Sequence, residues 1–290
     1  MNLSIIVCTY NRSRLLKKCL ESLVVQSGDG IEILVIDNNS QDDTAHVVND
    51  FLVNDINIRY FFEDKVGLSN ARNRGIKESR ADWILFLDDD AIAFPDLVDR
   101  SLYLVDRGDF DCVGGMYYGY YNDDKPKWIS EKYGTKNLYS TELSECPFYE
   151  PHGGIVLYRK KPLKFAGYFD PKSGMVGNKI SYGEEIEIQK KIFELNGRIG
   201  FDPNLKVWHL TKRTTIKEQL IVYFELGKSH RIRFDEKLYK RLLLIFISLL
   251  EMIFYRPFSS IYKVGFVKNY YWQNAVIEVF GQVLYLFGRL

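Results

Sequence analysis

The sequence is short of cysteine. Its four, Cys8, Cys19, Cys112 and Cys146, are far apart and none is spaced as CxxC. This excludes a zinc ribbon and a dense disulfide framework, and it fits a reducing cytoplasm. No leader is expected: Met1 leads through a polar Asn2 into a strand-like run, which predicts neither a signal peptide nor an N-terminal span. The apolar run Leu242 to Leu250 stops well short of the ~20 residues that a bilayer crossing requires, because Glu251 and Arg256 interrupt it. Internal repeats and low-complexity tracts are absent, which removes solenoids and disordered arrays. No glycine-rich loop follows the first strand-like run. Tyr10, Asn11 and Arg12 stand there instead, and this counts against a nucleotidyltransferase.

What is present begins with enough chain for a real core. The 290 residues suit one domain of about 200 residues with an appendage. The 46% apolar and 27% charged content is ordinary, whereas 15% aromatic is high. A net charge of +1 hides an asymmetry. From Lys212 onward there are 13 Lys and Arg against 6 Asp and Glu, an excess of +7 that leaves −6 for residues 1–211. An acidic body with a basic, aromatic tail suits an anionic membrane leaflet. Nucleic acid, the competing polyanion, ranks lower because the tail is also strongly apolar, and no nucleic-acid partner is expected.

Along the chain, β-type runs alternate with helical patterns. Leu3–Thr9 is followed by a helix through Leu15, Leu16, Cys19, Leu20 and Leu23; Ile31–Ile36 ends at Asp37 and precedes a helix with Val47, Val48 and Phe51. Ile56–Phe62 and a helix over Leu68–Ser79 make a third unit, and Trp83–Leu87 is a fourth strand. Such alternation predicts a mainly parallel sheet covered on both faces, with ligands bound at the carboxyl ends of the strands. Further strands are expected at Cys112–Tyr118 and Gly154–Tyr158. A helix follows Gly183 and stops at Gly197, and a turn is expected at Asp202–Pro203. The aromatic stretch Tyr118–Tyr149 either forms a surface for sugar rings or pads a small cluster. From Thr214 the pattern is helical, with Gly227, Pro257, Gly265 and Gly281 as expected breaks.

The chain is organised around WILFLDDD, Trp83–Asp90. A buried strand ending in three carboxylates either exits into a solvated, helix-capping turn or awaits a divalent cation and a phosphate-bearing ligand. Thr9 and Asp37 end two other strands on the same expected edge, where a carboxylate can accept from a ribose hydroxyl or a base N–H.

In order, SIIVCTYNR, EILVIDNNSQDDT, GLSNARNRGI, WILFLDDD, GEEIEI and VWHL resemble the family 2 glycosyltransferases over residues 1–211. The resemblance implies a GT-A fold: an α/β, Rossmann-like, mostly parallel sheet flanked by helices, here with a C-terminal helical appendage. It also implies inverting transfer of a sugar from a nucleotide diphosphate donor, with Mn²⁺ or Mg²⁺ held through a D-x-D motif. Thr9, Tyr10, Asn11, Asp37 and Arg72 then fall at the nucleotide, Asp88 at its ribose and Asp90 at the metal. His209 is a further metal or diphosphate contact, and Arg213 a diphosphate clamp. The family's Glu-Asp motif reads Glu184-Glu185, so Glu185 takes the position of the general base that a sugar hydroxyl needs. The extra methylene is a departure, and it leaves Glu184 as the rival.

The resulting expectation is a catalytic domain over 1–211 and a basic, apolar helical tail over 212–290. The enzyme would pass a sugar, from UDP by family expectation, to a glycan or lipid-linked glycan in surface polysaccharide synthesis. It would be cytoplasmic, peripheral at the inner face of the cell membrane, with the tail on the anionic surface or in a homo-oligomer contact. The alternative is a nucleotide-sugar-binding protein of the same fold with weak or no activity.

Overall fold

The computed structural model describes residues 1–53, 57–122, 124–130, 133–151, 154–177, 183–233 and 237–289. They divide into two compact units, Met1–Tyr120 with Gly134–Leu210, and Tyr121–Tyr133 with Thr211–Leu290.

The first unit opens with β1 (Leu3–Thr9), α1 (Ser13–Val24), β2 (Ile31–Asp37), α2 (Thr44–Leu52), β3 (Ile58–Phe62), α3 (Leu68–Glu78) and β4 (Trp83–Asp88). The four strands lie parallel in the order β3-β2-β1-β4. β2 is buried from end to end, and β1 nearly so. Unbroken apolar runs, rather than alternating ones, are what strands covered on both faces require. On one face Ile5, Val7 and Leu85 pack with Leu16, Leu20 and Leu23 of α1. On the other, Ile6, Leu34 and Phe86 meet Ala71 and Ile76 of α3. Gly75 lets α3 approach: a Cβ there would stand 2.6 Å from Ile6 Cγ2.

After β4 come β5 (Ala91–Ala93), α4 (Leu97–Arg107), β6 (Cys112–Tyr120), β7 (Ser144–Glu145), β8 (Ile155–Arg159), α5 (Lys160–Phe165), α6 (Glu184–Glu194) and β9 (Ile199–Leu210). β8 runs antiparallel between β4 and β6, β6 is parallel to β9, and β9 takes β5 and β7 antiparallel. The full order is β3-β2-β1-β4-β8-β6-β9-β5, with β7 beside β9. Parallel pairing thus fills the half of the sheet built from βα units, and the sheet becomes mixed where the alternation stops. The glycine-rich loop before α6 falls partly on 178–182, outside the described residues.

Two expectations are corrected. At Asp202–Pro203 the chain does not leave the sheet but bulges within β9: Gly114 faces Phe201 while Met116 already faces Lys206. The Asp202 side chain, fully buried, holds the bulge by accepting from Asn204 N and from Arg100 Nε and Nη2 of α4. In the second unit, α7 (Ile216–Arg233), α8 (Leu238–Phe254), α9 (Arg256–Phe266) and α10 (Trp272–Gly288) include Gly227 and Gly281 without a break, whereas α9 ends one residue after Gly265. Gly227 and Gly281 serve helix packing instead. A Cβ on Gly227 would lie 1.9 Å from Tyr285 O, and one on Gly281 would meet the Tyr223 ring at 3.0 Å, so α7 and α10 touch nearly backbone to backbone. Pro257 does mark a break, standing in the first turn of α9.

The aromatic stretch is shared between the units. Tyr118 packs on Trp208 and Phe94, and Tyr139 on Phe201, in the first unit. The Tyr133 hydroxyl bonds Gln219 Nε2, and Trp128 O accepts from Asn274 Nδ2, in the second. Many of these rings pad.

Candidate active site

β1 pairs with β2 on one side and β4 on the other, so the direction of strand addition reverses beside it. Open sheets bind ligands outside the strand ends at such a point. The register brings the site together there: Thr9 pairs with Asp37 and Cys8 with Asp88.

Each strand end is fixed differently. Thr9 Oγ1 donates to Asp89 Oδ2 at 2.9 Å, and Arg12 Nη1 donates to Asp89 Oδ1 at 2.9 Å. Asp89, 2% exposed, is therefore turned inward as an anchor, leaving Asp88 and Asp90 for the site. Asn11, in the left-handed region at φ 52°, ties the β1 loop to the β2 loop: its N–H donates to Ser40 Oγ, and its Oδ1 accepts from Gln41 N. Tyr10 is half-buried, its ring within 3.9 Å of where a Gly177 side chain would begin. Asp37 accepts from Ser40 N at 2.9 Å and from Tyr60 OH at 2.7 Å. Its carboxylate closes a turn and is held at the edge, each oxygen keeping a further lone pair.

The metal-type cluster depends on β5. Directly after the three aspartates, Ala91 pairs with His209 of β9, and Leu210 N donates to Asp90 O at 3.1 Å. His209 Nε2 then stands 3.2 Å from both Asp88 Oδ2 and Asp90 Oδ1, while neighbouring Trp208 points the other way and stacks on Phe94. One ligand atom from each of Asp88, Asp90 and His209 falls within 4.8 Å of the others. Two carboxylates and an imidazole are a donor set suited to Mn²⁺, and also to Mg²⁺ with water and phosphate completing the shell. Charge agrees. Asp88, Asp89, Asp90 and Glu185 are opposed by Arg12 and Arg72, an excess that a divalent cation offsets.

Arg72 of α3 links this cluster to α6. Its Nη1 lies 3.0 Å from Glu184 Oε1, and its Nη2 lies 2.7 Å from Glu185 Oε1 and 4.0 Å from Asp88 Oδ1. The guanidinium is 3% exposed and rests against Phe86 and Phe169. The two glutamates differ in setting. Glu184 is buried under the loop before α6, where a Cβ on Gly174 would come within 2.9 Å of its carboxyl carbon. Burial first, and then the Glu185 charge, push its pKa up to about 8. Burial acts on Glu185 too, but the Arg72 charge and hydrogen bonds outweigh it and hold its carboxyl below the usual range. Glu185 also keeps more solvent contact, with 16% of its side chain exposed against 4% for Glu184. Arg213 belongs to the second unit, where its carbonyl accepts from Gln219 Nε2.

The sequence reading gave no role to Arg12, which touches Asp89 and lies 3.7 Å from Asp90 Oδ2. Its signal was available: a cation one residue past Asn11, facing three acids.

The comparisons agree with this geometry. The glycosyl transferase family 2 profile matches residues 4–166, more than half of the chain. A GalNAc(5)-diNAcBac-PP-undecaprenol beta-1,3-glucosyltransferase of Campylobacter jejuni is 40% identical over 90 residues, which cover 30% of this chain and 29% of that one. Several other curated relatives are likewise matched over less than half of their length. Among solved structures, the mannosyltransferase PcManGT from Pyrobaculum calidifontis, in complex with GDP-Man and Mn²⁺, superimposes with a TM-score of 0.60 at 16% identity. It covers 80% of this chain and 64% of its own. S. aureus TarS 1–349 with UDP-GlcNAc gives 0.59 at 18% identity, covering 97% and 82%. At such identities the likeness is one of fold, the GT-A fold. With a parallel half-sheet, acidic strand ends at its switch point and a matching profile over most of that region, the chain belongs to glycosyl transferase family 2.

Proposed function

We propose that this protein is an inverting, metal-dependent glycosyltransferase that moves a sugar from a nucleotide diphosphate donor, a UDP-sugar, to a hydroxyl of a glycan or lipid-linked glycan. The observation that carries the reading is the meeting of Asp88, Asp90 and His209 with the Arg72–Glu185 pair at one strand edge. Thr9, Tyr10, Asn11 and Asp37 hold the nucleoside end, Asp88 meets the ribose, and Arg72 carries charge for the diphosphate. Asp88, Asp90 and His209 would hold Mn²⁺ or Mg²⁺, and the ion when bound supplies positive charge against the leaving diphosphate.

Glu185 acts as the base. It is ionised at neutral pH and oriented by Arg72, whereas Glu184, buried and held protonated, is unsuited to take a proton. The acceptor oxygen attacks the anomeric carbon opposite the diphosphate. A new C–O bond forms, the bond to the phosphate oxygen breaks with its electron pair, and the hydroxyl proton passes to Glu185. Single displacement inverts the anomeric centre.

The Campylobacter jejuni relative is named for an undecaprenol diphosphate-linked glycan, which supports a lipid-linked acceptor; on that acceptor we place the protein in surface polysaccharide synthesis, cytoplasmic and at the inner face of the cell membrane. A screen of sugar nucleotides with Mn²⁺ or Mg²⁺, read by nucleotide release and repeated with Asp90→Ala and Glu185→Gln, tests the mechanism; full activity in both variants would sink it.

A second reading has one observation in its favour. Glu replaces the family's Asp at the base position, and its carboxylate is engaged by Arg72. A nucleotide-sugar-binding protein without turnover would bind UDP in a metal-dependent way yet neither hydrolyse nor transfer any donor.

A further inference from the structure

The second unit leaves an unusual surface. From Leu238 to Val267 more than half of the residues are large, exposed hydrophobics, among them Leu243 at 55%, Phe246 at 60%, Phe254 at 70%, Phe258 at 72%, Ile261 at 71% and Phe266 at 78%. Only Ile245 and Ser248 of α8, and Ser260 of α9, are fully buried among the described side chains of that pair. Isolated exposed apolar side chains need no explanation, but a contiguous face of this extent marks an interaction site.

The occupant follows from charge and shape. The sequence from Lys237 to Trp272 holds six Lys and Arg and a single acid, Glu251, which is paired with Arg256 at 2.7 Å. Lys237, Lys240 and Lys268 are exposed at the borders of the apolar face, and Tyr239, Tyr255, Tyr262 and Trp272 stand exposed along it. A second copy would bring like-charged borders together. Anionic headgroups would instead meet the cations, while aromatic rings favour the boundary between headgroup and acyl chain.

Spanning is disfavoured on the same grounds. Among the described residues no single helix is long and apolar enough to cross a membrane; α8 and α9 reach that length and composition only together, as a pair bent by 51° at its junction. Glu251 and Arg256 lie at that bend, where a crossing would place them near the bilayer centre. Their partners lie inward: Arg256 Nη1 donates to Glu278 O of α10, and Lys263 of α9 pairs with Glu278 Oε1 at 2.6 Å. The polar side of α9 is therefore turned to α10, while the large apolar side chains of both helices are left exposed.

We infer that α8 and α9 form a bent, in-plane membrane-embedding element that sinks its apolar face into an anionic leaflet, with Glu278 of α10 holding the cations of α9 on the other side. This rests on the proposed membrane location and goes further, in naming the surface, its orientation and its lipid preference.

Flotation of the full-length chain with phosphatidylcholine vesicles, with and without phosphatidylglycerol, tests it, using donor turnover and circular dichroism to verify folding. The wild type should float with the anionic vesicles. Leu243→Ser with Phe246→Ser, and separately Phe258→Ser with Phe266→Ser, should each weaken binding roughly tenfold or more. Lys237→Glu with Lys240→Glu should remove the preference for phosphatidylglycerol. Wild type and apolar variants floating equally would overturn the assignment of α8 and α9 while leaving membrane location to another surface. A wild type that floats with neither vesicle would overturn both, and dimers broken by the serine variants would mark the face as a self-association surface. Donor turnover reports separately on glycosyl transfer.

Discussion

Arg72 Nη2 lies 2.7 Å from Glu185 Oε1, so the base proposed for the acceptor is held by a cation that also neighbours the D-x-D carboxylate Asp88. In the proposed mechanism the two halves of the displacement, proton removal and charge neutralisation at the leaving group, are thereby tied to one buried guanidinium. Such a link fixes geometry at some cost in basicity, since a carboxylate paired with Arg gives up part of its affinity for a proton.

Glu185→Gln should abolish most transfer, by a factor on the order of 10² to 10⁴, with donor binding kept. Glu184→Gln should retain most activity, because the buried Glu184 is already neutral at working pH. Initial rates on the preferred donor and acceptor, alongside UDP binding by calorimetry, distinguish the two; an inactive Glu184→Gln beside an active Glu185→Gln would exchange their roles.

Removing a ligand from the cluster should remove the response to metal. Mn²⁺ at about 100 times its dissociation constant would stabilise the wild type by roughly 2.7 kcal/mol, seen as a rise in Tm. Asp90→Ala should lose most of that rise and His209→Ala part of it. Both should slow nucleotide release, Asp90→Ala the more.

Stability should fall between about pH 4.5 and pH 8 through Glu184. Its folded pKa, about 8, lies above the value of 4.5 that it has when exposed, so the folded state binds the extra proton across that window. The contribution is fully present below pH 4.5 and lost as pH rises through 8. Glu185 has the opposite sign, its contribution being lost on acidification below about pH 4.5, as its folded pKa is lowered. Urea titrations at pH 5 and pH 8 should show a decline in the wild type that Glu184→Gln lacks, on the order of 2 kcal/mol or more.

Much of this site was legible because strand ends are legible. Apolar runs closing on Thr9, Asp37 and Asp88 announce buried parallel strands and place those residues on one edge. The approach of His209 to Asp90 was not so readable, since it depends on β5, three residues long, pairing with a strand more than a hundred residues away. Composition cannot separate Glu184 from Glu185 either. The difference arises when the loop carrying Gly174 closes over one of them, a tertiary event with no local signal. In the tail, Gly227 and Gly281 read as helix breaks by propensity, yet packing against α10 and α7 overrides a local cost of about 1 kcal/mol per glycine.

Arg12→Ala should destabilise the fold and, because Arg12 also lies 3.7 Å from Asp90 Oδ2, alter the charge at the metal-type cluster. Asp89 would lose one of the partners that hold it while remaining buried, and a loss on the order of 1 to 3 kcal/mol is expected. Denaturant midpoints measure it. Thr9→Val should act on the same carboxylate, and the double variant should be non-additive.

β5 has one more consequence. It is an edge of the sheet, and edge strands expose backbone donors and acceptors that another chain can extend into an aggregate. This one offers only Ala91–Ala93, where Ala91 and Ala93 are buried and the Ala93 N–H is taken by Ser22 Oγ of α1; Asp88, Asp89 and Asp90 precede it and Phe94 and Pro95 follow. Carboxylates before it and a proline after it leave no run of free backbone to template a neighbour. Asp88 and Asp90, which come together with His209 at the strand end, also keep the sheet from growing past it.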